Sequence, residues 1–138
     1  MPVNVKYLDG GKGVFATMSG HVTGDELIAI NREVFARDLA VEPYLYSLVD
    51  CDDIEGMNLS TMQLRELAHE DVSASKNLPN YIVAIYAKND LPFALARMWQ
   101  VFVEQAGWET RVFRTRPEAV AWVKRLVLAK FGVGVTLE

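Results

Sequence analysis

The stretch from Tyr81 to Ala87, with the sequence YIVAIYA, is the strongest strand signal of the chain. It contains no charged residue and is rich in β-branched and aromatic side chains, which favour strands. An uncharged strand of this kind is typical of the interior of a parallel sheet that is covered on both faces. The stretch therefore predicts an α/β protein in which Tyr81–Ala87 is an interior strand.

Four further strand signals surround this one. Towards the N-terminus, Leu45–Val49 is a short apolar run, and Val3–Tyr7 and Val14–Met18 show the alternation of half-buried strands. The Gly-containing segment Asp9–Lys12 joins these first two strands, which predicts an antiparallel hairpin. Towards the C-terminus, Thr110–Arg114 is the fifth predicted strand.

Helical patterns separate the strands. They begin at a capping box at Thr23 and Glu26, near Ser60, at Asp90 as N-cap, and at a second capping box at Thr115 and Glu118. The predicted order is β-β-α-β-α-β-α-β-α, a mixed and mostly parallel five-stranded sheet with helices on both faces. We assign residues 1–130 to a single domain and 131–138 to a C-terminal tail, whose last pair, Leu137-Glu138, resembles a cloning-derived addition.

Composition limits the classes of protein. The chain has 138 residues, of which 51% are hydrophobic and 23% charged, which fits one globular domain. Fourteen Lys and Arg against eighteen Asp and Glu give a net charge of −4, which disfavours a nucleic-acid partner. No apolar run approaches the roughly 20 residues of a membrane span. The single cysteine, Cys51, is typical of a reducing, cytoplasmic compartment.

An acidic cluster is the first candidate for chemistry. Asp50, Asp52, Asp53 and Glu55 follow the third strand in a predicted loop, where α/β folds place ligands. Carboxylates there could bind Mg²⁺ in a metal-dependent enzyme. The alternative is a solvated loop whose Asp side chains cap backbone N–H groups. We favour the second interpretation and predict no catalytic residue, no metal and no cofactor, since phosphate-binding and dinucleotide-binding glycine motifs are also missing.

The third helix carries the most unusual surface, because it is apolar nearly all round. We expect Phe93, Arg97 and Trp99 to shape any partner or ligand surface, with Trp99 at the border of the buried face. The opposite line of apolar side chains is expected in the core: Leu91, Leu95, Met98 and Phe102. The alternative is that the helix packs thickly against the last helix through Trp122 and Leu126.

Few other polar residues stand out. Asn31 lies near the apolar stripe of the first helix, and a buried amide needs a hydrogen-bond partner, which we expect in a neighbouring loop. The two histidines, His21 and His69, are too few for a His-rich metal site and assemble no catalytic triad with confidence.

Four segments carry a family resemblance. Gly13–Leu27 resembles the opening of STAS domains, in which a second strand ends in Gly and leads directly into the first helix. Arg97–Gln100, Gly107–Phe113 and Glu118–Trp122 resemble the SpoIIAA-like branch of that superfamily, whose members are mostly small, stand-alone and of unassigned function. The resemblance covers about residues 3 to 127 and implies the SpoIIAA-like fold.

The resemblance also implies functions. Anti-anti-sigma factors of the STAS family bind a partner kinase and are switched by phosphorylation of a Ser at the start of the second helix, a position that Ser60 occupies here. The residues alone predict Ser60 to be the N-cap of that helix. Our leading hypothesis is a non-enzymatic cytoplasmic domain that works by protein–protein contact, with a second copy of the chain as one candidate partner, or by small-ligand sensing. The alternative is a carrier of a small apolar ligand, since the SpoIIAA-like branch is similar in architecture to the lipid-carrying Sec14 type.

Overall fold

Five strands form one sheet in the computed structural model, which describes residues 2–138. The strands are β1 (Val3–Leu8), β2 (Gly13–Thr23), β3 (Tyr46–Asn58), β4 (Ile82–Tyr86) and β5 (Glu109–Phe113). They lie side by side in chain order; β1 and β2 are antiparallel and the other neighbours are parallel. The predicted mixed sheet with an interior β4 is therefore confirmed.

Four helices cover the two faces of the sheet: α1 (Gly24–Val34), α2 (Thr61–Ala74), α3 (Asp90–Phe102) and α4 (Arg116–Phe131). Side chains of α1, α2 and α3 share one hydrophobic core, and those of α4 belong to a second core. Around β4 the two-residue period of a strand divides the side chains, so that Val83 and Ile85 join the first core and Ala84 and Tyr86 the second. Helices lie on both faces, as predicted.

The acidic segment is not the loop that the sequence predicted. β3 runs through Asp50 and Glu55 to Asn58, because β2 is equally extended and pairs with it in parallel up to Thr23. The register of this pair shifts twice, and one shift lies beside Gly20, whose φ of 67° is available to glycine at little cost. Strand pairing thus overrides the low strand propensity of the aspartates.

Two predicted helix starts also differ in detail. The hydroxyl of Thr115 caps no backbone N–H and instead donates to the carboxylate of Glu118, so the second predicted capping box is wrong. Asp90 is the first residue of α3 rather than its cap, and Asn89 stands at the N-cap position. The first capping box, in which Thr23 and Glu26 bond to each other's backbone N–H, is confirmed.

The C-terminal tail packs against the second core, where Val135 and Leu137 are buried. The Asp9 carboxylate accepts hydrogen bonds from the backbone N–H groups of Thr136 and Leu137 at 2.9 and 3.0 Å, and from the Tyr46 hydroxyl at 2.6 Å. Burial alone would raise the pKa of Asp9, but these hydrogen bonds outweigh it and lower the pKa. The β1–β2 turn therefore holds the tail on the sheet.

We expect Gly13→Ala to destabilise the protein by about 1–3 kcal/mol, the usual range for overpacking a core. A Cβ at Gly13 would lie 2.0 Å from Cζ and 2.2 Å from Oη of Tyr46, whose side chain is fully buried. Urea unfolding would measure the loss. Gly134→Ala is the matched control, because a Cβ there meets no atom within 4 Å. Equal stabilities of the two variants would contradict the close packing of β2 against Tyr46.

Candidate functional site

A cavity of about 160 Å³ lies between the sheet and helices α1, α2 and α3. Most of its wall is aliphatic and comes from β1 to β4 and all three helices, and the rings of Trp99 and Trp108 complete it. The polar side chains that line it are few: Asn31, Ser47, Cys51, Asp71 and Tyr81. The arrangement is an apolar chamber with a small number of placed polar groups, the usual character of a small-molecule site.

Asp71 of α2 is the central polar group of this chamber and is only 3% exposed. Its Oδ1 accepts a hydrogen bond from Nδ2 of Asn31 on α1 at 2.9 Å, and its Oδ2 accepts one from Nε1 of Trp99 on α3 at 2.8 Å. One carboxyl group therefore joins the three helices on this face. The prediction that Asn31 bonds to a neighbouring loop is wrong, because its side-chain amide donates to Asp71 on the adjacent helix α2.

Burial raises the pKa of Asp71 to about 7. The hydrogen bonds from Asn31 and Trp99 act in the opposite direction, and the nearby negative charge of Glu70 adds to the rise. At neutral pH the acid is therefore present in both its protonated and its ionised form. A carboxyl group poised in this way inside a cavity is a marker of functional sites.

The remaining polar groups of the cavity are neutral. The hydroxyls of Ser47 and Tyr81 share a hydrogen bond. Burial, together with the charges of Asp50 and Asp52, raises the pKa of the Cys51 thiol to about 12. The thiol thus stays protonated at neutral pH and is a poor nucleophile, since the thiolate is the reactive form.

A second, more polar cavity of about 430 Å³ adjoins the first between α1 and α2. Asn31 and Phe35 line both cavities, so these two side chains form the partition between them. In the outer cavity Arg32 forms ion pairs with Glu70 and Glu66 at 2.5 and 3.2 Å. The other oxygen of Glu70 is buried and has no hydrogen-bond partner among residues 2–138.

The three residues predicted on α3 lie in different surroundings. Trp99 is buried in the cavity wall, and Phe93 is half-buried beneath the guanidinium of Arg114, 3.8 Å from its ring centre. Arg97 is exposed. The structure therefore places only Trp99 at the candidate site.

The predicted orientation of α3 is only partly right. Leu91 and Met98, expected in the core, are 55% and 37% exposed, whereas Leu95 lines the cavity and Phe102 packs against the first core. The fully buried side is formed by Pro92, Ala96 and Trp99. The alternative, packing of α3 against Trp122 of α4, is wrong, because the two helices lie on opposite faces of the sheet. Because α3 has apolar residues on nearly every side, its sequence contains no pattern from which its buried face can be predicted.

Two of the four acidic side chains of β3, Asp50 and Asp52, bind backbone groups. Oδ1 of Asp50 accepts a hydrogen bond from the N–H of Asp52 at 2.9 Å, and Oδ1 of Asp52 accepts one from the N–H of Lys88 at 3.0 Å. Within residues 2–138, no three His, Cys, Asp or Glu side chains are grouped so that they could hold a metal ion. The observed bonds are those of carboxylates that cap backbone N–H groups.

Ser60 has the local geometry of a helix cap. Its hydroxyl accepts a hydrogen bond from the N–H of Gln63 at 3.1 Å, and Oε1 of Gln63 accepts one from the N–H of Ser60 at 3.0 Å. The predicted N-cap is therefore confirmed, as half of a capping box. Phosphorylation of Ser60 stays a prediction of the resemblance.

We expect Ser60→Ala to lower the free energy of unfolding by about 0.5–2 kcal/mol, the usual effect of removing a Ser N-cap. The backbone N–H of Gln63 would lose its partner at the start of α2. Urea denaturation measures the change, with exposed Thr61→Ala as the control at the next position. A loss no larger than that of the control would argue against the capping role.

Asp71 is not among the residues predicted from the sequence, although a signal for it exists. Leu64, Ala68 and Asp71 follow one another at the spacing of one helix face, and all three are buried. An acid on an apolar stripe is therefore the pattern that identifies this site. A second signal is the amide of Asn31 at the corresponding face of α1.

Comparison with known proteins supports the fold. A crystal structure of an uncharacterised DUF3478-family protein with a SpoIIAA-like fold, from Shewanella loihica PV-4, matches with a TM-score of 0.54 and 16% sequence identity, over 88% of this chain and 91% of that one. The predicted SpoIIAA-like fold is thus confirmed. No family model matches the chain, and no curated protein does. Among residues 2–138, no helix has the length and apolarity needed to span a bilayer.

Proposed function

We propose that this protein binds a small, mostly apolar molecule in the cavity between the sheet and α1–α3, and works as a non-enzymatic cytoplasmic sensor or carrier. The observation that carries the proposal is the cavity itself, an apolar chamber with the buried carboxyl group of Asp71 in its wall. Well-packed domains leave few voids larger than a water molecule, so a chamber of this size calls for an occupant.

The volume limits the size of the ligand. The chamber measures about 160 Å³, and an engineered apolar cavity of about 150 Å³ takes up benzene. The fitting ligand thus has the size of one aromatic ring or a short branched chain. A lipid of the kind carried by Sec14-type proteins is too large for this chamber.

The polar groups of the wall favour binding over bond-making chemistry. Asp71 already accepts hydrogen bonds from Asn31 and Trp99, and the hydroxyls of Ser47 and Tyr81 bond to each other. These bonds fix the side chains in place, so that they can orient a ligand without being consumed. The free, buried thiol of Cys51 supports a reducing compartment.

The proposal is tested by a titration with toluene that is monitored by ¹⁵N NMR of the three tryptophan indole N–H groups. Trp99 and Trp108 line the cavity, whereas Trp122 lies on the opposite face of the sheet, so toluene should shift the first two signals and leave the third unchanged. Lauric acid should leave all three unchanged. Ala96→Leu, which fills the cavity, should abolish the shifts, and exposed Ala121→Leu on α4 should preserve them. Toluene shifts that survive in Ala96→Leu would refute binding in this chamber.

Contact with a protein partner is the second candidate function, favoured by one observation. Leu91, Met98 and Val101 are 55%, 37% and 66% exposed, and their spacing places them on one outward stripe of α3, beside exposed Arg97. Met98→Glu should abolish self-association or partner binding through this stripe. Leu128→Glu, at another exposed leucine on α4, is the control. If wild type and Met98→Glu both sediment as monomers, the result would argue against a homodimer.

A further inference from the structure

We propose, on the basis of the proposed function, that the ligand of the cavity carries a protonated amine on its small apolar body and that this amine pairs with the carboxylate of Asp71. The composition of the cavity wall, the hydrogen bonding of Asp71 and the charge balance of the chamber all favour this class of ligand.

The wall offers one carboxyl group and no cation. Among the described residues that line the chamber, Asp71 is the only Asp or Glu, and no Lys, Arg or His accompanies it. Asp71 forms no ion pair within residues 2–138. The positive charge that would balance its ionised form is therefore missing from the wall, and a ligand can supply it.

The hydrogen bonding of Asp71 leaves room for such a ligand. Each of its oxygens accepts one hydrogen bond, one from Asn31 and one from Trp99. An ionised carboxylate offers about four acceptor positions, so about two remain for N–H donors of an ammonium group. Both existing partners are donors, which holds the acceptor oxygens of Asp71 in a fixed orientation.

Electrostatics favour the pairing. A buried carboxylate without a cation is costly, and the group reduces this cost by taking up a proton. This is the reason for the raised pKa of Asp71. An ammonium group that enters the chamber would replace that proton and form a charge-assisted hydrogen bond, which is stronger than a neutral one. The aromatic rings of Trp99 and Trp108 in the same wall add a surface that suits a cation.

The outer cavity carries acids and cations in equal number, Asp38 and Glu70 against Arg32 and Arg37. Glu70 lines it directly beside the partition formed by Asn31 and Phe35, and one of its oxygens is buried without a hydrogen-bond partner in the described part of the chain. Glu70 therefore places one carboxyl group in the outer cavity, and Asp71 places a second one in the inner cavity. Arg32 forms an ion pair with Glu70 and not with Asp71.

Three probes of nearly equal size test the inference at pH 8: benzylamine, benzyl alcohol and toluene. The indole signals of Trp99 and Trp108 report binding, and that of Trp122 is the internal control. Benzylamine should bind about tenfold more tightly than benzyl alcohol, because its hydrogen bond to Asp71 joins two charges. Asp71→Asn should remove this preference, so that benzylamine and benzyl alcohol bind within about threefold of each other.

The pH dependence of the wild type gives a second measurement that needs no variant. Benzylamine should bind about tenfold more weakly at pH 5 than at pH 8, because Asp71 is then protonated. The groups around Asp71 are Asn31 from α1, Glu70 on α2, Trp99 from α3 and Tyr81 before β4. Toluene binding should not follow this pH dependence.

The outcomes separate the two proposals. If toluene and benzyl alcohol bind as tightly as benzylamine, the proposed amine group of the ligand is wrong. The proposed binding of a small apolar molecule in the cavity is then unaffected. Tight benzylamine binding that persists in Asp71→Asn would overturn the pairing. Failure of all three probes to shift Trp99 and Trp108 would overturn the proposed function itself.

Discussion

Asp71→Asn is expected to make the protein more stable at pH 8 and to remove about 4 kcal/mol of pH dependence between pH 4 and pH 8. The pKa of Asp71 is about 7 in the folded chain against its ordinary value of 3.8, and each tenfold difference in proton affinity corresponds to about 1.4 kcal/mol. Because the folded state binds the proton more tightly, the contribution to stability is complete below pH 3.8 and is lost as the pH rises through 7.

The Asn side chain preserves the local geometry. Its oxygen can accept the hydrogen bond from Trp99, and its NH₂ group can donate to Asn31 once the amide of Asn31 turns its oxygen inward. The variant therefore keeps both hydrogen bonds of Asp71 and loses only the buried charge. We therefore expect the variant to keep the same fold and to differ from wild type in its free energy of unfolding.

Urea unfolding at pH 4, 6 and 8 measures the effect, with Asp53→Asn as the control for loss of an exposed acid. Asp9, whose pKa is lowered, contributes in the opposite sense and at lower pH, since its stabilisation is present above pH 3.8 and is lost below it. Parallel stability curves for wild type and Asp71→Asn would show that Asp71 is not buried as described.

The sequence predicted the fold well because its decisive signals are local. The apolar run before and through β4, the Gly-containing hairpin, the capping box at Thr23 and the N-cap at Ser60 each depend on residues close together in the chain. β3 was predicted too short because its second half is held by pairing with β2, a contact between distant residues that no local propensity reports.

The candidate site was less predictable because it depends on how three helices meet. An acid such as Asp71 on a helix is usually exposed, and only the burial of Leu64 and Ala68 on the same face marks it as different. The sequence predicts Trp99 at the border of the buried face of α3, beside Arg97, and not in the wall of a cavity. The partner of Trp99 lies on another helix, and the orientation of α3 follows from the packed layer rather than from its own sequence.

Trp99→Ala is expected to lower the free energy of unfolding by about 3–5 kcal/mol, the usual loss for a buried Trp. The side chain is 7% exposed, it closes one wall of the cavity, and it donates one of the two hydrogen bonds that Asp71 accepts. The change therefore enlarges a void and leaves a buried carboxyl group with a single donor. Arg97→Ala, at an exposed position of the same helix, should change stability by no more than about 0.5 kcal/mol.

Added indole should restore part of the stability that Trp99→Ala loses, because the enlarged cavity matches the missing side chain. A ligand present at about 100 times its dissociation constant stabilises a protein by about 2.7 kcal/mol. Thermal unfolding with and without indole measures the rescue, and Arg97→Ala, at an exposed position of the same helix, is the control because it creates no void. A selective rescue of the Trp99 variant would show that this chamber accepts an aromatic molecule from solution. Equal rescue of both variants, or a loss below about 1 kcal/mol for Trp99→Ala, would contradict the position of Trp99 in the wall of a binding cavity.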